Sequence, residues 1–220
     1  MFSEDLCGVN KTPVPYLGNQ FRVIRFDIPQ VDFSTTGLGD TIQDEPFCEY
    51  LLPGKKMRRK LLPLLFCSIA RSSQLSGEIY TTEGIETGAV FFGRGDKFSF
   101  ERLARAIIST ARFTLGWPTF RRFVGLCARL DAAHKQLARG PHWYLMSLGM
   151  NPSKLGNSIA TAMLQPLLSR ADADGMPCYL ETFRQTDLPL YENLGFRIEG
   201  AGRIPGGGPS FWAMLRLPQS

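Results

Sequence analysis

The segment from Trp143 to Leu164 joins a strand-forming run, a polar turn and a helix, an arrangement that could hold a phosphate group. Trp143 to Met150 is apolar and rich in strand formers, and Asn151-Pro152 stops it. Small and polar residues follow as far as Ser158, and from Ile159 onward apolar residues fall at helical spacing. Backbone N–H groups at a helix N-terminus, aided by the helix dipole, bind anions. The pattern is equally typical of one more strand–helix unit in an α/β sheet, and these residues alone leave both interpretations open.

Composition excludes several classes of protein. Of the 220 residues 44% are apolar, enough for one full core, and no stretch reaches the roughly 20 apolar residues of a membrane-spanning helix. The N-terminal sequence lacks a basic region followed by an apolar one, so we expect no secretory signal. Five scattered cysteines and two histidines show no metal-ligand spacing, which predicts reduced thiols in a cytoplasmic protein and no bound metal. The net charge of +5 permits a polyanionic ligand without requiring one.

Proline, glycine and polar breakers divide the chain into short elements. We predict strands over 21–26, 77–82, 88–92, 143–150, 177–181, 196–201 and 210–217. We predict helices within 40–52, 55–75 (kinked at Pro63), 99–113, 118–133, from Ile159 onward and over 188–193. Residues 1–20 are expected to form a loose leader, and no repeat or linker divides residues 21–220, which we predict to be one domain.

A basic run opens the predicted 55–75 helix, with five Lys and Arg residues between positions 55 and 60. Such a run is more often the solvated first turn of a helix than a nucleic-acid-binding surface. We therefore expect no nucleic-acid partner and no membrane partner.

Two segments together resemble the GNAT acetyltransferases. HWYLMSLGMNPSKLGNSIATAMLQPLL, starting at His142, resembles the acyl-CoA pyrophosphate motif of that superfamily. YLETFRQTDLPLYENLGF, starting at Tyr179, resembles the strand–helix unit that follows the motif and carries a tyrosine. Their pairing is similar to the puromycin N-acetyltransferase-like branch. The resemblance implies an α+β (mixed α/β) fold: a single GNAT-like domain with a central mixed, mostly antiparallel sheet, splayed parallel strands at the cofactor cleft, and helices on both faces.

The resemblance implies that acetyl-CoA is the cosubstrate. Its pantetheine would lie along Leu148, Gly149 and Met150 like an added strand, with a backbone N–H near Met150 facing the developing oxyanion. The pyrophosphate would lie against backbone N–H groups of the following segment: Leu155, Gly156, Asn157, Ser158, Ile159 and Ala160.

The phosphate motif departs from the family pattern. The family's Gln/Arg-x-x-Gly-x-Gly/Ala falls on Leu155, Ser158 and Ala160, and Ala160 alone fits it. Backbone donors do not depend on side chains, but a Cβ where glycine is usual narrows the approach of the backbone to a phosphate.

The resemblance also implies catalytic roles. Tyr191 is the candidate general acid, because a phenol with a pKa near ~10 can return a proton to a thiolate whose acid has a pKa near ~8.5. Asp187 stands where the family usually has an asparagine that touches the cofactor. Glu181 and His142 are candidate bases for the acceptor ammonium; alternatively, Glu181 anchors backbone or an arginine such as Arg184, and His142 is a satisfied interior imidazole.

The acceptor pocket has weaker candidates, namely Glu45, Glu78 and the glycine loop 206–208. We therefore predict an N-acetyltransferase that moves an acetyl group from acetyl-CoA to a primary amine of a small molecule by direct transfer. The alternatives are a catalytically silent acyl-CoA-binding protein and a peptide or protein N-acetyltransferase.

Overall fold

One eight-stranded sheet runs through the protein and carries helices on both faces. The computed structural model describes residues 12–13, 23–26, 43–62, 77–82, 85–95, 99–148 and 152–219. The strands are β1 (Thr12–Pro13), β2 (Val23–Phe26), β3 (Gly77–Thr82), β4 (Ile85–Arg94), β5 (Trp143–Leu148), β6 (Cys178–Thr182), β7 (Arg197–Arg203) and β8 (Ser210–Arg216). The helices are α1 (Pro46–Leu51), α2 (55–62), α3 (Phe100–Leu137), α4 (Pro152–Ala173) and α5 (Leu188–Asn193), with a 3-10 turn at Gln185–Asp187.

The sheet order is β1-β2-β3-β4-β5-β6-β8-β7, and every neighbouring pair is antiparallel except β5 with β6. The predicted mixed, mostly antiparallel sheet is confirmed. The chain crosses from β5 to β6 through α4, which is the connection that a parallel pair requires.

Two apolar layers sandwich the central strands. On one face α1, α2 and the second half of α3 cover Tyr144, Tyr179 and Phe211. On the other face α4 and α5 cover Trp143, Leu145 and Leu180. Alternate residues of β5 and β6 therefore lie on opposite faces, as the two-residue period of a strand requires.

Several local predictions are confirmed and some boundaries move. Gly116, with φ 72° and ψ 159°, interrupts α3 at the predicted break, because only glycine adopts this conformation readily. β4 is longer than the predicted 88–92, since it pairs with β3 and β5 along its two edges. Thr12 and Pro13, from the predicted leader, form an edge strand with β2. The predicted kink at Pro63 lies outside the described residues.

Candidate active site

The parallel strands β5 and β6 separate after only two residue pairs. Trp143 pairs with Cys178 and Tyr144 with Tyr179, and the Trp143 N–H donates to the Pro177 carbonyl at 2.8 Å. Beyond this point β5 stays paired with β4 as far as Leu148, and β6 stays paired with β8 as far as Thr182. The two strands thus enclose a gap that opens toward their carboxyl ends, which confirms the predicted splay.

The start of α4 corrects one prediction. We expected a polar turn over 152–158 before a helix at Ile159, but the helix already begins at Pro152. Proline suits the first turn of a helix because its missing N–H needs no partner there, and small polar residues are compatible with that turn. The first turn leaves the N–H groups of Ser153 and Lys154 without intrahelical acceptors, whereas those of the following turns have them.

The structure describes only some of the other residues that we predicted to bind the cofactor. Leu148 ends β5 beside the gap, and Ala160 is buried in the α4 layer. Gly149 and Met150 lie outside the described residues. For Asn157, Ser158 and Ile159 the structure describes the helical backbone.

Glu181 lies on the α3 side of β6 with an inaccessible carboxylate oxygen. Its Oε2 accepts a hydrogen bond from the Tyr144 hydroxyl at 2.8 Å, which bridges the two splayed strands. Its Oε1 is buried and has no hydrogen-bond partner among the described residues, and the same is true of the Tyr179 hydroxyl beside it. Burial raises the pKa of Glu181 to about 7, against the lowering effect of the two tyrosine hydroxyls. Its proton affinity therefore suits a base that works near neutral pH.

Two tyrosines lie beside this carboxylate on the α3 side, and His134 packs on both of their rings. His134 stacks on Tyr179 with ring centroids 4.8 Å apart and planes 7° from parallel, and its centroid lies 4.9 Å from that of Tyr144. Sequence analysis missed Tyr144, Tyr179 and His134, because aromatic residues in a strand or a helix stripe are indistinguishable from core. The two-residue offset of Tyr179 from Glu181 was the available signal, since it places both on one face of β6.

His142 immediately precedes β5, at the opposite end of the strand from the opening of the gap. Its Nδ1–H donates to the Gly140 carbonyl at 2.8 Å, so its Nε2 is an acceptor when the ring is neutral. His134 Nε2, 2.6 Å away, then carries the shared hydrogen. An open cleft of about 480 Å³ lies beside this pair and is lined also by Asp131, Lys135 and Arg139. His142 therefore faces the interior and the amino-end cleft.

Tyr191 lies on the other face of the sheet, with α4 and α5. Its side chain is 4% exposed and contacts the Phe196 ring edge-on at a centroid distance of 6.0 Å. Tyr191 and Glu181 thus lie on opposite faces of the sheet.

Acidic and basic groups gather beyond the carboxyl end of β6. Arg184 Nε donates to Glu45 Oε1 at 3.0 Å, so the arginine suggested as a partner of Glu181 belongs to Glu45 instead. Burial raises the pKa values of Glu45 and Asp187, and Arg184 opposes the rise in both. Asp187 precedes α5 and accepts a weak hydrogen bond from Thr186 at 3.4 Å.

The other acceptor-pocket candidates lie at different ends of the sheet, because the glycine loop precedes β8 at the carboxyl end of β6 and Glu78 lies at the opposite end. Glu78 pairs with Arg170 in the last part of α4 at 2.8 Å, toward the amino end of β5, so it does not line the carboxyl-end gap. The glycine loop contacts α1, because the Tyr50 hydroxyl donates to the Pro205 carbonyl at 2.8 Å. Within the described ranges no group of three or more potential metal-ligating side chains occurs. Among the described helices, none has the length and apolar character to cross a membrane.

The amino-acid sequence is similar to that of a curated N-acetyltransferase. A curated relative, the uncharacterized N-acetyltransferase C550.08 of Schizosaccharomyces pombe, is 23% identical over 166 residues, 72% of this chain and 67% of the relative. No family model matches the sequence.

Solved structures with a similar fold are acetyltransferases. Arylalkylamine N-acetyltransferase 2 from Aedes aegypti aligns with a TM-score of 0.60 at 12% identity, covering 91% of this chain and 100% of that one. A structure from Corynebacterium glutamicum, histone acetyltransferase HPA2 and related acetyltransferase, aligns with a TM-score of 0.57 at 22% identity, covering 92% and 98%. The protein therefore has the GNAT acetyltransferase fold, a mixed sheet whose parallel strands part at a cleft. The puromycin N-acetyltransferase-like branch stays a prediction.

Proposed function

We propose that this protein is an N-acetyltransferase that transfers the acetyl group of acetyl-CoA directly to the primary amine of a small molecule. The observation that carries the proposal is the gap between β5 and β6, because it has a titratable carboxylate, Glu181, on one face and a phenol, Tyr191, on the other. The GNAT fold and the N-acetyltransferase relative support the same activity.

The chain offers a fitting site for the cosubstrate. Beyond Tyr144 the main chain of β5 pairs with no residue of β6, so we expect its amides on that side to bond an extended pantetheine arm. The first-turn amides of α4 follow three residues after β5 and suit the pyrophosphate, one turn earlier than the motif predicts. Bound there, acetyl-CoA supplies an activated acetyl group and a thiolate leaving group.

Two side chains divide the proton transfers in the proposed mechanism. Glu181, with its pKa raised to about 7, accepts the proton that an acceptor ammonium loses before attack. Tyr191 donates a proton to the departing thiolate from the opposite face. His142, at the amino end of β5, reaches Glu181 only through His134 and the tyrosines, so Glu181 is the better candidate for the base.

The acceptor class follows from the similar proteins. The Drosophila melanogaster polyamine N-acetyltransferase, which forms N-acetylagmatine, aligns with a TM-score of 0.55 at 13% identity, covering 90% of this chain and 100% of that one. Glu45, Glu181 and Asp187 give the carboxyl-end region acidic groups that attract cationic amines.

Release of free thiol from acetyl-CoA tests the proposal, with polyamines, agmatine, arylalkylamines and peptides bearing free N-termini as acceptors. We expect thiol release with a small amine and a product heavier by one acetyl group. Calorimetric binding of CoA without thiol release for any acceptor would identify a silent acyl-CoA-binding protein. Acetylation confined to peptides would identify a peptide N-acetyltransferase.

A further inference from the structure

We propose that Tyr144 is a positioning residue that holds Glu181 Oε2 and thereby leaves Oε1 as the oxygen that takes the proton of the acceptor amine. The inference rests on the proposed function, since it names Tyr144 as the residue that positions the proposed base, Glu181. Because Oε1 is buried, the proton is relayed by one water: the ammonium N–H bond breaks and its proton passes to the water, the water passes one of its own protons to Oε1, and the nitrogen keeps its electron pair for attack on the acetyl carbonyl carbon.

The two oxygens of the carboxylate have different surroundings. Oε2 is fixed by the 2.8 Å bond from the Tyr144 hydroxyl, which comes from the neighbouring strand. Oε1 is buried and has no partner among the described residues. A buried carboxylate oxygen without a donor costs stability, so natural proteins keep such a group where it has a chemical role.

The position of Tyr144 suits this task. Tyr144 belongs to the last residue pair before β5 and β6 separate, and Glu181 lies two residues beyond its pairing partner, Tyr179. The bond between Tyr144 and Glu181 therefore bridges the gap just where the backbone pairing ends. Because Tyr144 is only 2% exposed and is packed against α3, its hydroxyl is held in place by the core.

Tyr144 acts as a hydrogen-bond donor throughout the working pH range. Burial, followed by the charge of Glu181, raises the pKa of the Tyr144 phenol well above its ordinary value. The phenol thus keeps its proton and donates to the ionised carboxylate, which favours the charged form of Glu181. Without this bond, the effect of burial on the pKa of the carboxylate is less strongly opposed, so the pKa rises further.

Four other titratable groups on this face keep one charge state near neutral pH. Burial lowers the pKa of His134 to about 4, so this ring is neutral, and burial raises the pKa of Cys127 to about 12. Burial also raises the pKa values of Tyr179 and of the Cys48 thiol, while His142 lies behind His134. β8 places Ala213 opposite Glu181, which adds no charge.

Tyr144→Phe removes the donor and retains the ring, and the pH dependence of kcat/KM is the test. A hydrogen bond to a charged group corresponds to roughly one to two pKa units. We expect the acid limb to move to higher pH by that amount, and the rate at pH 7 to fall about five- to fifty-fold and recover at alkaline pH. The wild type and Tyr144→Phe are measured with the same acceptor. Titration of the amine then affects both pH profiles equally, so a difference between the profiles comes from the enzyme.

Tyr179→Phe is the matched control, since it makes the same change two residues from Glu181 on the same face. The Tyr179 hydroxyl also lowers the pKa of Glu181, but it makes no hydrogen bond of ordinary geometry among the described residues, so we expect its acid limb to move in the same direction by less than that of Tyr144→Phe. Equal shifts in the two variants would overturn the proposal, and so would an unshifted Tyr144→Phe profile.

Carbon-13 NMR titration of the glutamate carboxyl groups gives a readout that needs no activity. The Glu181 signal should titrate at higher pH in Tyr144→Phe, and an unchanged signal would overturn the proposal even in a protein that acetylates nothing. A shifted signal with no acetyl transfer to any amine would refute the proposed function while upholding the contact. Where Tyr144→Phe fails to fold, 3-fluorotyrosine in place of Tyr144, a stronger donor, must move the acid limb to lower pH.

Discussion

Gly95→Ala should destabilise the protein through a single steric conflict with His142. A Cβ at Gly95 would lie 2.0 Å from His142 Nε2 and 2.3 Å from Cδ2, far inside any real contact distance. Moving the imidazole costs hydrogen bonds, because the Gly140 carbonyl holds its Nδ1 and His134 holds its Nε2. The substitution must displace either the ring or the end of β4.

The cost has two parts. Overpacking a tight interior costs about 1–3 kcal/mol. Breaking the bond between the two histidines strands a buried N–H donor, which costs about 1–3 kcal/mol more. A central value of about 3 kcal/mol lowers the Tm of a chain of this size by roughly 6–12 °C.

Urea unfolding of a double-mutant cycle measures this conflict. His142→Ala removes the ring, so Gly95→Ala should cost less than about 0.5 kcal/mol in that background. Gly125→Ala is the matched control: nothing lies within 4 Å of its Cβ position, and the helix should gain up to about 1 kcal/mol. Equal destabilisation by Gly95→Ala with and without His142, or none in either, would refute the reasoning.

Three further substitutions test the site and its support. Tyr191→Phe should lower kcat roughly ten- to a thousandfold and leave the calorimetric Kd for CoA nearly unchanged; a full rate would contradict its role as the acid. Glu181→Gln should abolish the acid limb of the kcat/KM profile. At pH 8 it should also raise the free energy of unfolding by about 2 kcal/mol, because a carboxyl whose folded-state pKa is raised destabilises the fold once pH exceeds its unfolded value. Asp172→Asn should lower the free energy of unfolding by about 2–3 kcal/mol at pH 7, since it leaves the buried Arg216 without its ion-pair partner. That difference should shrink as pH falls through the depressed pKa of Asp172, and urea unfolding at pH 7 and pH 3 measures it.

The sequence predicted the elements around the site because their local signals agree. The strand-forming run from Trp143 predicted β5, and Pro152 after this run indicated that a helix, α4, follows it. Gly116 predicted the break in α3. The alternation of residues in β6 places Glu181 on one face of the sheet and Leu180 on the other. The mixed sheet with its parallel pair came from the family resemblance, and the structure confirms it.

Local signals were less decisive where two structures suit the same residues. The polar segment after Pro152 reads as a turn, but it forms the first turns of α4. Small polar residues accept both conformations, and packing of the following turns against the sheet extends the helix to its start.

The contacts that define the site were decided by the tertiary structure alone. The Tyr144–Glu181 bond joins residues 37 apart on two strands that are separating, and the His134–His142 contact joins a helix to a strand end. Periodicity tells which face of a strand a side chain occupies. It does not tell which strand lies alongside or where the pairing stops, because long-range hydrogen bonding and the packing of α3 and α4 fix both. These contacts place Glu181 and Tyr191 on opposite faces of the sheet.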